Sequence, residues 1–283
     1  MKFYIVDAFT SVPFGGNTAG VVLLDKGKDF PDNSLMQKIA AQLRYSETAF
    51  IKQNGKKDFT IRYFTPEGEV DLCGHATIAS FKVLLECEMV KKGDTCINRT
   101  LAGDLQVNVG EQIMMDMATP QVIGKKPDIK ELYRIMTGKE LQNEYKLPVE
   151  IISTGLPDII LPLDSVDELQ SLIPDMQALA KLSKNMDVTG VHAFAISKDN
   201  YTAHVRNFAP LYGIDEESAT GTANGALAYY LFRHNLAKEG DNCIFLQGEA
   251  MGRASEVSAT IETGGKIKVG GDAAIMASGE LLL

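Results

Sequence analysis

Two short runs carry the residue types with which this chain could do chemistry: Cys73-Gly74-His75-Ala76 and Thr220-Gly221-Thr222-Ala223. Each opens an apolar stretch that reads as a helix, so each stands at a helix start. A helix N-terminus presents unpaired N–H groups and the positive end of the dipole, and glycine lets a ligand approach the backbone closely. Two such starts facing one cleft would hold a carboxylate. His75 suits a polar donor or proton carrier, and equally a satisfied structural group. Glu217 follows Glu216 directly. It reads as a charge stabilising the helix dipole, or as one of two neighbouring acids at a site where one would resist ionisation. Cys73 is a candidate thiolate. A two-base cysteine racemase needs a second thiol at the matching place, and Thr220 stands there with a hydroxyl far too weakly acidic for the task.

The two runs belong to one longer repeat. Residues 69–97 slide onto 216–244 without a gap, and ten of 29 positions are identical: Glu69, Gly74, Ala76, Ala79, Leu84, Lys91, Gly93, Asp94, Cys96 and Ile97 each meet their own type. Chance gives roughly two at ordinary residue frequencies. Upstream, Arg62-Tyr-Phe-Thr-Pro66 is echoed by Arg206-Asn-Phe-Ala-Pro210. Two copies are too few for a solenoid and imply two similar domains.

The elements that must position these runs follow from periodicity. Lys2 to Val6 and Ala19 to Leu24 read as strands around a Gly- and Asn-rich turn at 11–18. Asp32 to Arg44 has helical spacing, with Asn33 or Ser34 as cap. Phe50-Ile-Lys and Phe59 to Phe64 read as paired strands. The repeat helices are expected to run from the small-residue turns to Lys92 and Lys238, with Gly93 and Gly240 as stops. Their apolar positions cover most of the surface, so each helix should be buried on nearly all sides. Strand-like segments such as Leu105–Val109 and Ile267–Val269 follow each one. Pro120 to Gly138 holds a short amphipathic helix and Ser165 to Leu182 one or two more. The expected fold class is α+β: two pseudo-symmetric domains, each a β-barrel-like sheet around a central helix.

Composition narrows the function. The chain has 283 residues, 45% hydrophobic and 23% charged, with a net charge of −9. That length favours two domains. The acidic balance argues against a nucleic-acid partner and leaves a small anionic substrate open. No apolar run reaches the ~18 residues of a membrane span, and the N-terminus reads as a strand rather than a signal peptide, so no membrane partner and a cytoplasmic location are expected. Cys73, Cys87, Cys96 and Cys243 form no CxxC pair, which indicates neither a zinc site nor a disulfide framework. Cys96 and Cys243, at matching repeat positions, read as small buried hydrophobes.

Several motifs resemble the phenazine biosynthesis PhzF family across essentially the whole chain: Asp7-Ala-Phe-Thr10…Pro13-Phe14…Gly16-Asn17, Tyr45-Ser-Glu-Thr-Ala-Phe50, Phe64-Thr-Pro66…Asp71-Leu-Cys-Gly-His-Ala-Thr77, Gly213-Ile214…Ala219-Thr-Gly221, Gln247-Gly248…Gly252-Arg253 and Val269-Gly-Gly-Asp-Ala273. The resemblance implies a diaminopimelate epimerase-like fold with the site in the interdomain cleft, no cofactor, and a homodimer. Domains are expected at 1–117 with 270–283, and at 118–269. It also implies that Glu47 is the general acid/base that moves a proton between carbons of a dihydro-hydroxyanthranilate. On residues alone Glu47 is one acid between a helix and a strand. A shuttling carboxylate needs a partly desolvated position. His75 matches the family's site histidine, and Gly74 and Gly221 the glycines that hold the substrate carboxylate. Asn17 matches a substrate-binding residue, and here Thr18 follows it where the family usually has proline. Glu217 stands for the family's site aspartate and is one methylene longer. Thr222 stands for the site serine and adds a methyl.

The resulting expectation is a cofactor-independent isomerase with no metal, acting on a small cyclic or amino carboxylate, with Glu47, His75 and Glu217 catalytic and Asn17, Gly74, Gly221 and Thr222 binding substrate. Two alternatives stand beside it. One is a Cys/Thr lyase or dehydratase of the proline racemase-like branch, using Cys73 and Thr220. The other is a non-catalytic small-carboxylate binding protein.

Overall fold

A helix that is apolar all round must be enclosed, and a curled sheet is the economical way to enclose it. The structure, a computed structural model that describes residues 1–141 and 146–282, does this twice. One unit is Met1–Asp116 with Gly270 to the C-terminus; the other is Met117–Val269.

In the first unit β1 (Lys2–Ala8) pairs antiparallel with β2 (Asn17–Leu23) and with the C-terminal strand Ala273–Glu280. β2 runs parallel to β3 (Thr48–Gly55), which turns back on β4 (Asp58–Phe64). β4 lies antiparallel to the short β5 (Glu69–Val70) and parallel to β6 (Asp94–Thr100), and the sheet continues through β7 (Gly103–Val109) to β8 (Ile113–Asp116). Helix α1 (Asn33–Leu43) packs Met36, Ile39 and Ala40 on Val22, Phe50 and Phe64. Helix α2 (Gly74–Glu86) lies inside the curl, against β1, β2, β3, β8 and the C-terminal strand. Its Ala76, Ile78, Ala79, Phe81, Val83 and Leu84 are fully buried, and each large one contributes ~1.5–3 kcal/mol.

The second unit repeats the plan. β9 (Gln121–Ile123) pairs with β10 (Glu150–Ser153), β10 with β11 (Pro157–Pro162), and β11 runs parallel to β12 (Gly190–Ile196). β12 pairs with β13 (Ala203–Ala209), which carries β14 (Ile214–Glu217) on one side and runs parallel to β15 (Asn242–Gln247), itself paired with β16 (Ser255–Ile261). β17 (Ile267–Gly271) follows. Helices α3 (Ile129–Thr137), α4 (Val166–Gln170) and α5 (Met176–Met186) supply Leu132, Leu169 and Leu179 to a core shared with Ile159 and Val191. The enclosed helix is α6 (Gly221–Arg233), packed on β10, β11, β12 and β16.

The repeated identities are the ones that hold this plan. Arg62 grips Glu69 from β4 to β5 (Nε–Oε1 2.6 Å), and Arg206 grips Glu216 from β13 to β14 (Nε–Oε1 2.9 Å). Asp94 accepts from the Lys91 amide at 3.0 Å and Asp241 from the Lys238 amide at 3.0 Å, while the Gly93 and Gly240 amides donate to Val109 and Ile261. Both glycines have positive φ, 91° and 88°. They start strands rather than stop helices. Both helices end earlier than the expected Lys92 and Lys238, because Glu88 and Asn235, at matching repeat positions, adopt left-handed φ of 56° and 57°. The chain then folds back, with the Met89 and Leu236 amides donating to Leu84 and Leu231. The α1 cap is Asp32, which accepts from the Leu35 amide, rather than Asn33 or Ser34. Cys96 and Cys243 are buried, and burial raises both thiols, Cys243 to about 11.

Candidate active site

In the first unit the site is built where three chain segments meet. The Gly20 amide donates to the Glu47 carbonyl, tying the residue before β3 to β2. Cys73 caps α2 through its backbone alone, with no side-chain cap bond, so the helix start keeps donors to offer. His75, in the first turn, is the hub. Asn17 Nδ2, at the start of β2, lies 3.4 Å from His75 Nδ1, and Cys73 Sγ lies 3.3 Å from the same nitrogen. Ser46 Oγ is 3.3 Å from Nε2, and Glu47 Oε2 is 3.2 Å from it. With the Asn17 amide donating to Nδ1, the imidazole proton sits on Nε2, toward Ser46 and Glu47.

Burial pushes His75 below the ordinary histidine pKa, and the charge of Glu47 offsets this only in part. The ring is therefore neutral near pH 7, and its contact with Glu47 is not an ion pair there. Glu47 Oε2 is buried and makes no hydrogen bond, because it lies outside hydrogen-bonding geometry with Nε2. Its side chain as a whole is 18% exposed, which is the half-desolvated setting expected of a proton carrier. Gly74 carries no packing constraint: a Cβ built there meets nothing within 4 Å and its φ is not positive. Thr18, the replacement for the family's proline, donates its hydroxyl to Asp7 Oδ1 at 2.5 Å, so that departure is absorbed beneath the turn at 11–16.

In the second unit, Gly221 and Thr222 begin α6, and Glu217 ends β14 just before it. Thr220 Oγ1 donates to Glu217 Oε2 at 2.5 Å and accepts from Gln247 Nε2 at 3.1 Å. Gln247 also binds the Glu217 carbonyl, the Thr220 amide and Asn224 Nδ2, and so clamps the whole turn. Thr154 Oγ1 donates to the Thr222 carbonyl at 2.8 Å. Glu216 and Glu217 do not share a site. Successive residues of a strand face opposite ways, and Glu216 is held by Arg206. The acid that Glu217 does sense is Asp158 in β11, fully buried and with Oδ1 unpartnered. Burial first, and Glu217 second, push Asp158 up to about 7, with the Gly190 amide offsetting part of it. Nearby in the sheet, burial holds His192 down at about 3.

The structure thus brings Asn17, Glu47, His75 and Gly74 together around the α2 start, and Glu217, Gly221 and Thr222 around the α6 start. Sequence reasoning missed Ser46, the Gln247 clamp and Asp158. The last had a signal: an acid directly preceding the apolar run Ile159-Ile-Leu161. Two surface grooves of the second unit, one at Gly240, Ile261 and Lys266 and one at Lys146, Leu163 and Asp164, contain none of these residues.

Comparison with known proteins identifies the family. The family model for phenazine biosynthesis-like protein (PhzC-PhzF) matches residues 6–279. The chain is 35% identical to "Uncharacterized isomerase YddE" of Escherichia coli O157:H7, over 92% of this chain and 90% of that one. It is 30% identical to trans-2,3-dihydro-3-hydroxyanthranilate isomerase of Pseudomonas fluorescens, again over 92% and 90%. The crystal structure of the Bacillus anthracis phenazine biosynthesis protein, PhzF family, superposes with a TM-score of 0.88 at 27% identity, covering 100% of this chain and 99% of that one. No helix among the described residues is long and apolar enough to cross a membrane. Matched along nearly its whole length in sequence and in fold, the chain belongs to the PhzF-like family of isomerases.

Proposed function

We propose that the protein is a cofactor-independent isomerase in which Glu47 takes a proton from one carbon of a small cyclic or amino carboxylate and returns it to another. The observation that carries this reading is Glu47 Oε2: buried, without a hydrogen bond, and 3.2 Å from a neutral imidazole. An oxygen already locked in hydrogen bonds would have to break them before accepting a proton. This one does not. The neutral imidazole of His75 lies 3.2 Å from the carboxylate and would donate to it from Nε2 after a small reorientation. Asn17 fixes the ring from the Nδ1 side. Gly74 at the α2 start is proposed to grip the substrate carboxylate, Gly221 and Thr222 are proposed to offer the same kind of grip at the α6 start, and Glu217 is proposed to orient a ring amine, hydroxyl or second polar group. The protein is proposed to act as a homodimer, as its family resemblance implies.

The Pseudomonas fluorescens relative supplies the substrate chemistry as a starting class. The longer Glu217 and the added methyl of Thr222 argue for a differently shaped partner within that class. Glu47→Gln keeps the shape and removes the base. It is expected to lower turnover by about 10²–10⁴-fold with substrate binding largely retained, measured on the first turnover-competent compound from a panel of dihydro-hydroxyanthranilate-like and amino carboxylates. Normal turnover by that variant would overturn the assignment. Cys73→Ser separates the Cys/Thr alternative. Thr220 is already donating to Glu217, so retained activity in Cys73→Ser is the expected result.

A further inference from the structure

The cluster around His75 has a second chemical character. Its donors are a thiol, an imidazole and a carboxylate, one set from which four-coordinate zinc sites are assembled. We propose that Glu47, Cys73 and His75 form a binding site for a zinc-type divalent cation, and that occupancy switches the enzyme off by taking the carboxylate.

One ligand atom from each residue lies within 4.8 Å of the others. His75 Nε2 is 3.2 Å from Glu47 Oε2 and 3.8 Å from Cys73 Sγ. Zinc bonds of ~2.0–2.3 Å at tetrahedral angles place ligand atoms ~3.3–3.6 Å apart. The Glu47–His75 edge of that figure is present within a few tenths of an ångström; the Cys73 sulfur, which rests nearer Nδ1 (3.3 Å) than Nε2, must turn about its Cα–Cβ bond to close the other two. Glu47 Oε2 has no hydrogen bond to give up. Ser46 Oγ, 3.3 Å from Nε2, would yield its place to the ion. The fourth position would be left to water or to a substrate oxygen. Binding converts the Cys73 thiol to thiolate and turns the Nε2 proton over to Nδ1, so one proton leaves to solvent; Asn17 then faces Nδ1–H with its amide oxygen. Softness selects the ion: a thiolate favours zinc or cobalt over magnesium or calcium. Sequence spacing hides the site, because Glu47 comes from the α1–β3 junction and the other two from the start of α2.

The binding claim stands on donor geometry alone. Only the inhibitory consequence rests on Glu47 being the proton carrier. The test therefore reads binding without substrate. Titrating the metal-free chain with Co²⁺ is expected to saturate at one equivalent with an intense near-ultraviolet thiolate-to-cobalt band and tetrahedral visible bands, both bleached by Zn²⁺. Cys73→Ser is expected to lose the near-ultraviolet band although Cys87, Cys96 and Cys243 remain. Glu47→Gln is expected to keep it with at least about tenfold weaker binding. In the unmodified chain Zn²⁺ is expected to slow alkylation of Cys73, read by mass spectrometry, which needs no variant to fold. A band that survives in Cys73→Ser, or Cys73 alkylation unchanged by Zn²⁺, would overturn the proposal. Reversible loss of turnover with Zn²⁺, restored by chelator, is then expected. Binding without that loss would retire the switch and, with it, the exclusive role given to Glu47.

Discussion

The first unit carries a glutamate where the second carries a glycine that cannot be replaced. The ladders fix the correspondence. Thr48 pairs with Phe64 and Val191 with Phe208, and Phe64 and Phe208 fill the same place in the repeated Arg-x-Phe motif. The residue before each strand pair is then Glu47 in one unit and Gly190 in the other. A Cβ on Gly190 would lie 1.8 Å from the Phe208 carbonyl oxygen, so no side chain fits. Likewise Cys73 and His75 meet Thr220 and Thr222. What the copies share, the Arg–Glu grips, the Lys-x-Gly-Asp turns and the buried helix, is scaffold. At these three positions, where they differ, the first unit holds the titratable group. The repeat supplies two helix starts, and the proposed proton carrier stands beside one of them.

Even the shared scaffold is not shared equally, and this comparison breaks most sharply at the Arg–Glu grips. Arg206 is nearly buried and also donates to the Leu169 and Leu172 carbonyls, whereas Arg62 is 20% exposed and touches Asn33. Removing a buried partner leaves a carboxylate uncompensated. Arg206→Leu is expected to cost about 3–5 kcal/mol, and Arg62→Leu about 1 kcal/mol, measured by denaturant unfolding. Equal costs would show that the two grips are energetically equivalent. Next in size, Gly190→Ala is expected to destabilise by at least about 1–3 kcal/mol through backbone overpacking, while Glu47→Ala leaves stability within about 0.5 kcal/mol. A harmless Gly190→Ala would undo the claim that the second unit has no room for an acid there.

A smaller effect depends on pH. The folded state holds Asp158 at about 7, above its ordinary 3.8. A raised carboxyl keeps its proton in the folded state, so its contribution is whole below about pH 4 and is lost as pH rises through about 7. Asp158→Asn should therefore match the unmodified chain near pH 4 and melt higher at pH 8. A constant difference across that range would remove Asp158 from the account. His204 follows the same sign. Burial lowers it, and Asp199 and Glu249 at 2.8 and 2.6 Å more than compensate, so it stands above the ordinary histidine value. Its stabilisation is present at acid pH and fades as pH rises past the folded value. His204→Gln is expected to erase that fade in melting temperature above the ordinary histidine value, and no change in slope would show that the two carboxylates hold no imidazolium.

Much of this architecture was legible in the sequence because it is local or repeated. The enclosed helices showed as apolar on every face, and the Arg, Gly and Asp identities showed as a repeat before their hydrogen bonds explained it. The helix ends were not legible, since Met89-Val90 and Leu236-Ala237 continue the apolar pattern while the chain has already turned. Asn235 favours a left-handed turn; Glu88 does not, and is held there by its surroundings. Glu47 was legible only through family resemblance. Its meaning depends on His75, 28 positions away in the sequence, and no local period connects them. The Glu216-Glu217 pair misled for the opposite reason: adjacency in sequence separates side chains on a strand.

The central claim, that a single unrepeated carboxylate moves the proton, is tested most directly by deuterium exchange. Substrate is incubated in D₂O with the unmodified chain, Glu47→Gln and Cys73→Ser, and carbon-bound deuterium is followed by NMR. The account predicts incorporation with the unmodified chain and with Cys73→Ser, and none above background with Glu47→Gln. Incorporation that survives in Glu47→Gln and disappears in Cys73→Ser would contradict it.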